Sequence, residues 1–294
     1  MHQQPVLLPK AVSRGIRICL PASLAAAALA LVVGLFGACG GSSAPENMRS
    51  QVATGTEVQG GLTVFAASSL TDVFRALGKA FAAQNPGVSV TFNFASSSVL
   101  STQINEGAPA DVFASANDAQ MQVVTDAGNA SSPVMFAANV PVVVVPAKSI
   151  GVTSFYDLAR PGVRLVLAGP DVPIGAYSRQ ILIKASQATD GPGPGFSDRV
   201  LANLRSNEAN VRAVLTKVQL GEADAGIVYR TDAAIVGEEV ALIEIPALYN
   251  IMASYPVAVT KESKNPTAAE AWIRFLLSPT GQAILEDFGF GPPS

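Results

Sequence analysis

The 294-residue chain is 49% hydrophobic and 14% charged, with a formal net charge of −3. That composition excludes a disordered chain and suffices for a core spanning two lobes. No run of Lys and Arg marks it as a nucleic-acid binder or a polybasic membrane-surface protein. The chain opens with Lys10, Arg14 and Arg17 ahead of "ICLPASLAAAALALVVGLFGAC", an apolar stretch ending in small residues, the layout of a secretory signal. The stretch is long enough to cross a bilayer, so an uncleaved anchor is the alternative.

"LFGAC", followed by "GGSSAPEN", resembles the lipobox of bacterial lipoproteins, in which the signal is removed before a cysteine that then receives lipid. Phe36 departs from the aliphatic residue usual in that motif, while Gly37 and Ala38 meet its small-residue requirement. The resemblance implies a signal peptide over 1–38 and a lipid on Cys39, holding the protein on the outer face of the cell membrane. Cys19 falls inside the signal, so the processed domain has neither a disulfide nor thiol chemistry. Processing also removes three cations and no anion, leaving a more acidic domain. Residues 39–61, rich in Gly, Ser and Thr without hydrophobic periodicity, are expected to form a flexible spacer.

From residue 62 short apolar runs alternate with helical patterns, as in an α/β sheet protein. "LTVFA" (62–66) predicts a strand, and the next segment places Leu70, Val73, Phe74, Leu77 and Phe81 on one helical face, stopped by Asn85-Pro86-Gly87. "VSVTFNF" (88–94) predicts a second strand, 98–107 a helix, and "ADVFAS" a third strand. "NVPVVVVPA" (139–147) predicts a strand leaving this lobe. "VRLVLAG" and "AGIVY" are strand candidates beyond it, next to helical "PDVPIGAYSRQILIKA" and "NVRAVLTKVQLGEA". The Gly/Pro cluster at 190–196 predicts a surface loop. "YPVAVT" (255–260) predicts a second crossing strand, and the helical tail returns to the first lobe. Two crossings imply two α/β lobes around a cleft, one of residues 62–140 and 257–294, the other of 141–256.

Elimination narrows the chemistry. The one histidine, His2, lies in the signal, so no Ser or Cys nucleophile in the processed chain has a histidine base, and no imidazole or thiolate metal site is available. "GAYSR" lacks the second glycine of a nucleophile elbow, and the Gly78-Lys79 pair lacks the rest of a P-loop. Glu238 and Glu239 have the pattern of a solvated surface. What recurs is a strand ending in a small or polar turn that opens a helix: Ser68-Ser69, Ser96-Ser97-Ser98, Pro173-Ile174-Gly175 and Asn210-Val211. Each such turn offers free N–H groups and the positive end of a helix dipole. Any one serine there is accounted for by capping; four turns facing one cleft would form a cage of neutral donors for an anion.

"LTVFAASSLTDVF", "FASSSVLSTQINEGAPADVFASA", "DVPIGAYSRQIL", "EADAGIVYRTDA", "YPVAV" and "SPTGQAILEDFGF" together resemble the molybdate-binding proteins of ABC importers, in consistent order from about 62 to 290. The resemblance implies the type II periplasmic-binding-protein fold, with two α/β lobes joined by two crossing strands and closing on a tetrahedral oxyanion. It places the ligand donors at the hydroxyls of Ser69, Ser97 and Tyr229 and at the backbone N–H groups of Ile174 and Val211. Ile174 departs from the small residue common at its position. The molybdenum is held only as the oxyanion, with no direct protein–metal ligand.

A deprotonated molybdate carries acceptors only, which hydroxyls and N–H groups satisfy and a carboxylate would repel. Hydrogenphosphate would bury an unpaired O–H, at about 1–3 kcal/mol. Sulfate, an acceptor too, has to be rejected by cage size. The resemblance therefore implies a monomeric receptor, without cofactor or nucleic-acid partner, that delivers molybdate, and also tungstate, to an ABC permease and its ATPase subunit. The alternatives are a receptor for sulfate or another oxyanion, an extracellular hydrolase using Ser97 with Lys184 or Lys217 as base, and an adhesion or scaffold lipoprotein whose serines only cap helices.

Overall fold

The structure is a computed structural model that describes residues 58–293; the signal segment 1–38, Cys39 and the spacer up to residue 57 lie outside the described residues. The first strand, β1 (Gly60–Ala67), starts inside the expected spacer, with Gly60 N–H donating to Gly87 O at 2.8 Å. It pairs in parallel with β2 (Val88–Ala95) on one side and β3 (Val112–Ala114) on the other. Two antiparallel strands, β10 (Ala253–Thr260) and β4 (Ala130–Asn139), complete the sheet in the order β2-β1-β3-β10-β4.

The second sheet has the same plan. Its strands are β5 (Pro141–Pro146), β6 (Leu165–Ala168), β7 (Leu204–Glu208), β8 (Ala225–Tyr229) and β9 (Val240–Ile243), in the order β7-β6-β8-β5-β9. Again three neighbouring strands pair in parallel, and one strand, β5, runs against all the others, antiparallel to β8 on one side and to β9 on the other, as β10 does between β3 and β4.

Hydrophobic patterning explains how helices cover these sheets. In α1 (Thr71–Gln84), Val73, Phe74, Leu77 and Phe81 are all buried, as their 3.6-residue spacing requires. The C-terminal helices α8 (Pro266–Leu276) and α9 (Pro279–Asp287) return to the first sheet. There Trp272 packs edge-on against Phe74 and Phe81, with ring centroids 5.6 and 5.4 Å apart. On the opposite face α2 (Ser97–Asn105) and α3 (Asp118–Asp126) bury Leu100, Ile104, Met121 and Val124 against Phe65 and Phe113. Gly107, at φ +91°, takes the left-handed conformation that ends the segment after α2. The second sheet carries α4 (Pro173–Gln187), α5 (Phe196–Ala202), α6 (Val211–Gln219) and α7 (Arg230–Val236). Both are α/β lobes, as expected.

The crossings differ from the expectation in detail. The strand expected over 139–147 is β5 of the second sheet, with only Asn139 belonging to β4 of the first, a strand not expected from the sequence, and Val140 separates the two. Asn139 occupies the junction: its Oδ1 accepts the Val140 N–H at 2.9 Å and its Nδ2 donates to Thr231 Oγ1 at 2.8 Å. Pro141 has no N–H to place. The segment expected to cross at 255–260 lies wholly in β10, and the chain crosses before it, between β9 and β10. Asn250 there repeats the device, accepting the Ile251 N–H at 2.9 Å and donating to Pro141 O at 2.9 Å. A strand cannot complete a ladder in two sheets at once, so side-chain amides satisfy the backbone where it passes from one to the other.

Candidate functional site

Strand ends of both sheets and helix starts of both lobes converge on one small pocket. Ser68, Ser69, Ser96 and Ser97 line it from the first lobe, and Pro173, Ile174, Val211 and Tyr229 from the second. Ser69, Ser97, Ile174, Val211 and Tyr229, distant in sequence, are thus brought together. All are buried: Ser69 is 3% exposed, Ser97 0% and Tyr229 1%.

Each wall has a local cause. After β1 a 3-10 turn, Ser68–Leu70, precedes α1. It presents Ser69, whose Oγ lies 3.0 Å from the Tyr255 hydroxyl of β10. Ser96 is the N-cap of α2, its Oγ accepting the Val99 N–H and lying 3.1 Å from Ser98 Oγ. The next residue, Ser97, is turned to a different partner. Its Oγ accepts the Ala116 N–H at 3.0 Å, so its own proton remains to be donated. The three serines therefore separate into a cap, a pocket hydroxyl and a half-buried neighbour.

On the second lobe, Pro173 opens α4 and Ile174 supplies the helix's first N–H, because proline has none. Ile174 also belongs to the hydrophobic core, so the residue that departs from the usual small one is accommodated by packing. Asn210 caps α6 by accepting the Ala213 N–H at 3.0 Å. Val211 follows as the first helical residue, where N–H groups lack intrahelical acceptors. Tyr229 ends β8 and is the residue before α7.

The Tyr229 hydroxyl is buried with Tyr255 as its polar neighbour and makes no well-formed hydrogen bond. Burial raises its pKa well above the usual tyrosine value, and the neighbouring Tyr255 adds to the shift. The phenol is therefore a proton donor throughout the physiological range. Leaving such a group without a well-formed bond costs about 1–3 kcal/mol. We therefore expect Tyr229→Phe to raise the thermal stability of the ligand-free protein slightly while weakening oxyanion binding. Melting curves and titration calorimetry check the two signs together; lost stability with unchanged affinity would make Tyr229 a core residue only.

Several residues behind the pocket were assigned no role from the sequence. Tyr255, fully buried, sets Ser69 by hydrogen bond and packs edge-on to Tyr229 at 5.8 Å between centroids. Arg212 reaches Asp72 Oδ2 at 2.8 Å and Asp232 Oδ1 at 2.6 Å. Burial pushes the fully buried Asp232 up to about 6, against the pull of Arg212. The clue in the sequence is Arg212 itself, a cation in the first turn of α6, where the helix dipole disfavours positive charge unless carboxylates compensate it.

The chemistry required of a hydrolase is not assembled here. Lys217 is paired with Glu208 at 2.7 Å, Lys184 donates to Asn250 O at 3.4 Å, and neither lines the pocket beside Ser97. Glu238 and Glu239 are exposed, as expected for a solvated face. What the pocket offers is hydroxyls and helix-start N–H groups, a donor set for an anion.

Comparison with known proteins agrees with this geometry. The family model of bacterial extracellular solute-binding proteins matches residues 62–291. The molybdate-binding protein ModA of Mycobacterium tuberculosis is 40% identical over 265 residues, covering 90% of this chain and 95% of that protein. Among solved structures, the periplasmic molybdate-binding protein of Azotobacter vinelandii superimposes with a TM-score of 0.69 at 24% identity, over 79% of this chain and 100% of the other. The sulfate-binding protein SubI of Mycobacterium tuberculosis gives a TM-score of 0.72 at 20% identity, over 79% of this chain and 86% of the other, which establishes the shared fold. The chain is a bacterial extracellular solute-binding protein and belongs to the family of the molybdate-binding protein ModA.

Proposed function

We propose that this protein captures molybdate, and its near-isostere tungstate, outside the cytoplasm and delivers it to an ABC permease driven by its ATPase subunit. It is a binding protein without catalysis or cofactor. The hydroxyls of Ser69, Ser97 and Tyr229 and the N–H groups of Ile174 and Val211 are the assigned donors. The observation that carries this reading is the buried Tyr229 hydroxyl, without a well-formed hydrogen bond, in a pocket lined from both lobes by serines and helix starts. A tetrahedral dianion supplies the acceptors such groups need. The sequence identity to a ModA protein favours molybdate over sulfate, whose receptor is matched in fold. A lipid on Cys39 would hold the monomeric receptor at the outer face of the membrane.

Because the donors come from both lobes, the anion binds the closed cleft more tightly than the open one and shifts the population toward closure. Calorimetric titration of the purified protein should show tight binding of molybdate and tungstate, weaker binding of sulfate and none of phosphate. Small-angle scattering should show contraction with molybdate and none with phosphate. Tight molybdate binding with an unchanged scattering profile would place the ligand within a single lobe; preferential sulfate binding would overturn the assigned ligand. Mass spectrometry of the exported protein checks the lipid on Cys39.

A further inference from the structure

Resting on the oxyanion-receptor reading above, we infer that Arg212 is a positioning residue that latches the cleft: held by Asp232 of its own lobe, its guanidinium grips Asp72 of the other lobe and keeps the donors of α6 and of the Ser68–Leu70 turn facing one another.

The topology makes this arrangement particular. Asp72 lies in the first turn of α1, Arg212 in that of α6 and Asp232 in that of α7. Each is close in sequence to an assigned donor: Asp72 follows Ser69, Arg212 follows Val211 directly, and Asp232 follows Tyr229. One side chain therefore ties together three helix starts that carry pocket residues. Two of them belong to the second lobe and one to the first.

Among the described residues, Arg212–Asp72 is the ion pair that joins the lobes; the others each lie within one lobe. It is also sheltered, with side-chain exposures of 26% for Arg212 and 33% for Asp72, while Asp232 is at 0%. Direct packing of α6 on the Ser68–Leu70 turn continues the same interface. Gln120 Nε2, donating to Asp171 O at 3.1 Å, adds a neutral link between the lobes.

The charges explain why the guanidinium is not itself a ligand. A cation shared by two carboxylates has little remaining field for the pocket, so the anion is left to neutral donors. Asp232 fixes the guanidinium from behind and Asp72 is the part that separates when the cleft opens. Breaking a sheltered pair of this kind is read mainly in dissociation.

The test uses the full-length protein as wild type, Asp72→Asn and Asp72→Glu. Asp72 is partly exposed, so its substitution avoids the folding risk of changing buried Asp232. In hydrogen exchange without added oxyanion, Asp72→Asn should speed exchange in peptides covering 68–72 and 210–214, and Asp72→Glu should restore protection. With radiolabelled molybdate, release from Asp72→Asn should be about tenfold faster at an unchanged association rate. A purely helix-local role for Asp72 would instead lower the melting temperature and leave 210–214 and the release rate alone, which overturns the latch. Unchanged exchange at 210–214 also overturns it, whatever the ligand. If wild type binds no molybdate, the functional reading falls, while the exchange experiment still decides the latch.

Discussion

Replacing Gly175 by alanine should abolish oxyanion binding and lower the melting temperature by roughly 6–12 °C, on the basis of about 3 kcal/mol for overpacking. A Cβ at this position would lie 1.9 Å from Gly169 O and 2.5 Å from Ala168 O, both backbone atoms at the end of β6. No side-chain rotation relieves such a clash, so the start of α4 has to move off the strand. That start carries the Ile174 N–H, and a displacement of one ångström is enough to misalign a donor in a cage built from both lobes. Melting curves and calorimetry on the same preparation check the effect. Alanine at Gly107, where a Cβ meets nothing within 4 Å but φ is +91°, should cost about 1 kcal/mol from backbone strain and leave binding intact. Equal behaviour of the two variants would show that close packing at α4 is not what positions the donor.

Ser97→Ala should weaken molybdate binding by about 10- to 100-fold, the loss of a hydrogen bond to a charged ligand worth about 1.5–3 kcal/mol. The neighbouring serines provide the internal comparison. Ser96→Ala removes the α2 N-cap and should cost about 1 kcal/mol of stability with a smaller loss of affinity. Ser98, half-buried and bonded to Ser96, should tolerate alanine in both measurements. Ser97→Ala also strips the Ala116 N–H of its acceptor, so some stability is lost with the affinity. A titration series in which all three variants bind alike would mean that the triplet serves only to start the helix.

Much of the fold was legible along the chain because the relevant forces are local. The buried face of α1 follows from apolar residues at helical spacing, and β-branched runs such as "VVVV" in β5 have little choice but a buried strand. The serine turns, the proline that opens α4 and the asparagine that caps α6 are likewise statements about adjacent residues. Alternation of such elements specifies an α/β sheet protein without any knowledge of what packs on what. Quoted motifs were not uniformly functional. In "GAPADVF", Asp111 is a structural staple, its Oδ1 accepting the Lys264 N–H at 2.7 Å and the Asn265 N–H at 3.0 Å, and its Oδ2 accepting the Thr63 N–H at 2.7 Å.

Only the tertiary structure decided which residues share a surface. Hydropathy does not record the sheet in which a residue pairs, so β4 went unread beside the expected strand that became β5; the side chains of Asn139 and Asn250 mark the crossings through bonds that span the hinge. Tyr255 was visible as a strand residue, yet its hydroxyl beside Ser69 joins positions 186 residues apart. Asp72 and Asp232 resemble ordinary helix-surface charges in sequence, where a charged residue in a helical pattern predicts solvent, and only its place in the first turn of α6 sets Arg212 apart. Their pairing depends on two lobes meeting, and no periodicity along one chain segment encodes the approach of another. The sequence by itself thus determined the main strands and helices around the serine, proline and asparagine turns; the closing of the lobes determined which charges were withdrawn from water, because burial and Coulomb attraction depend on distance in space and not on distance along the chain.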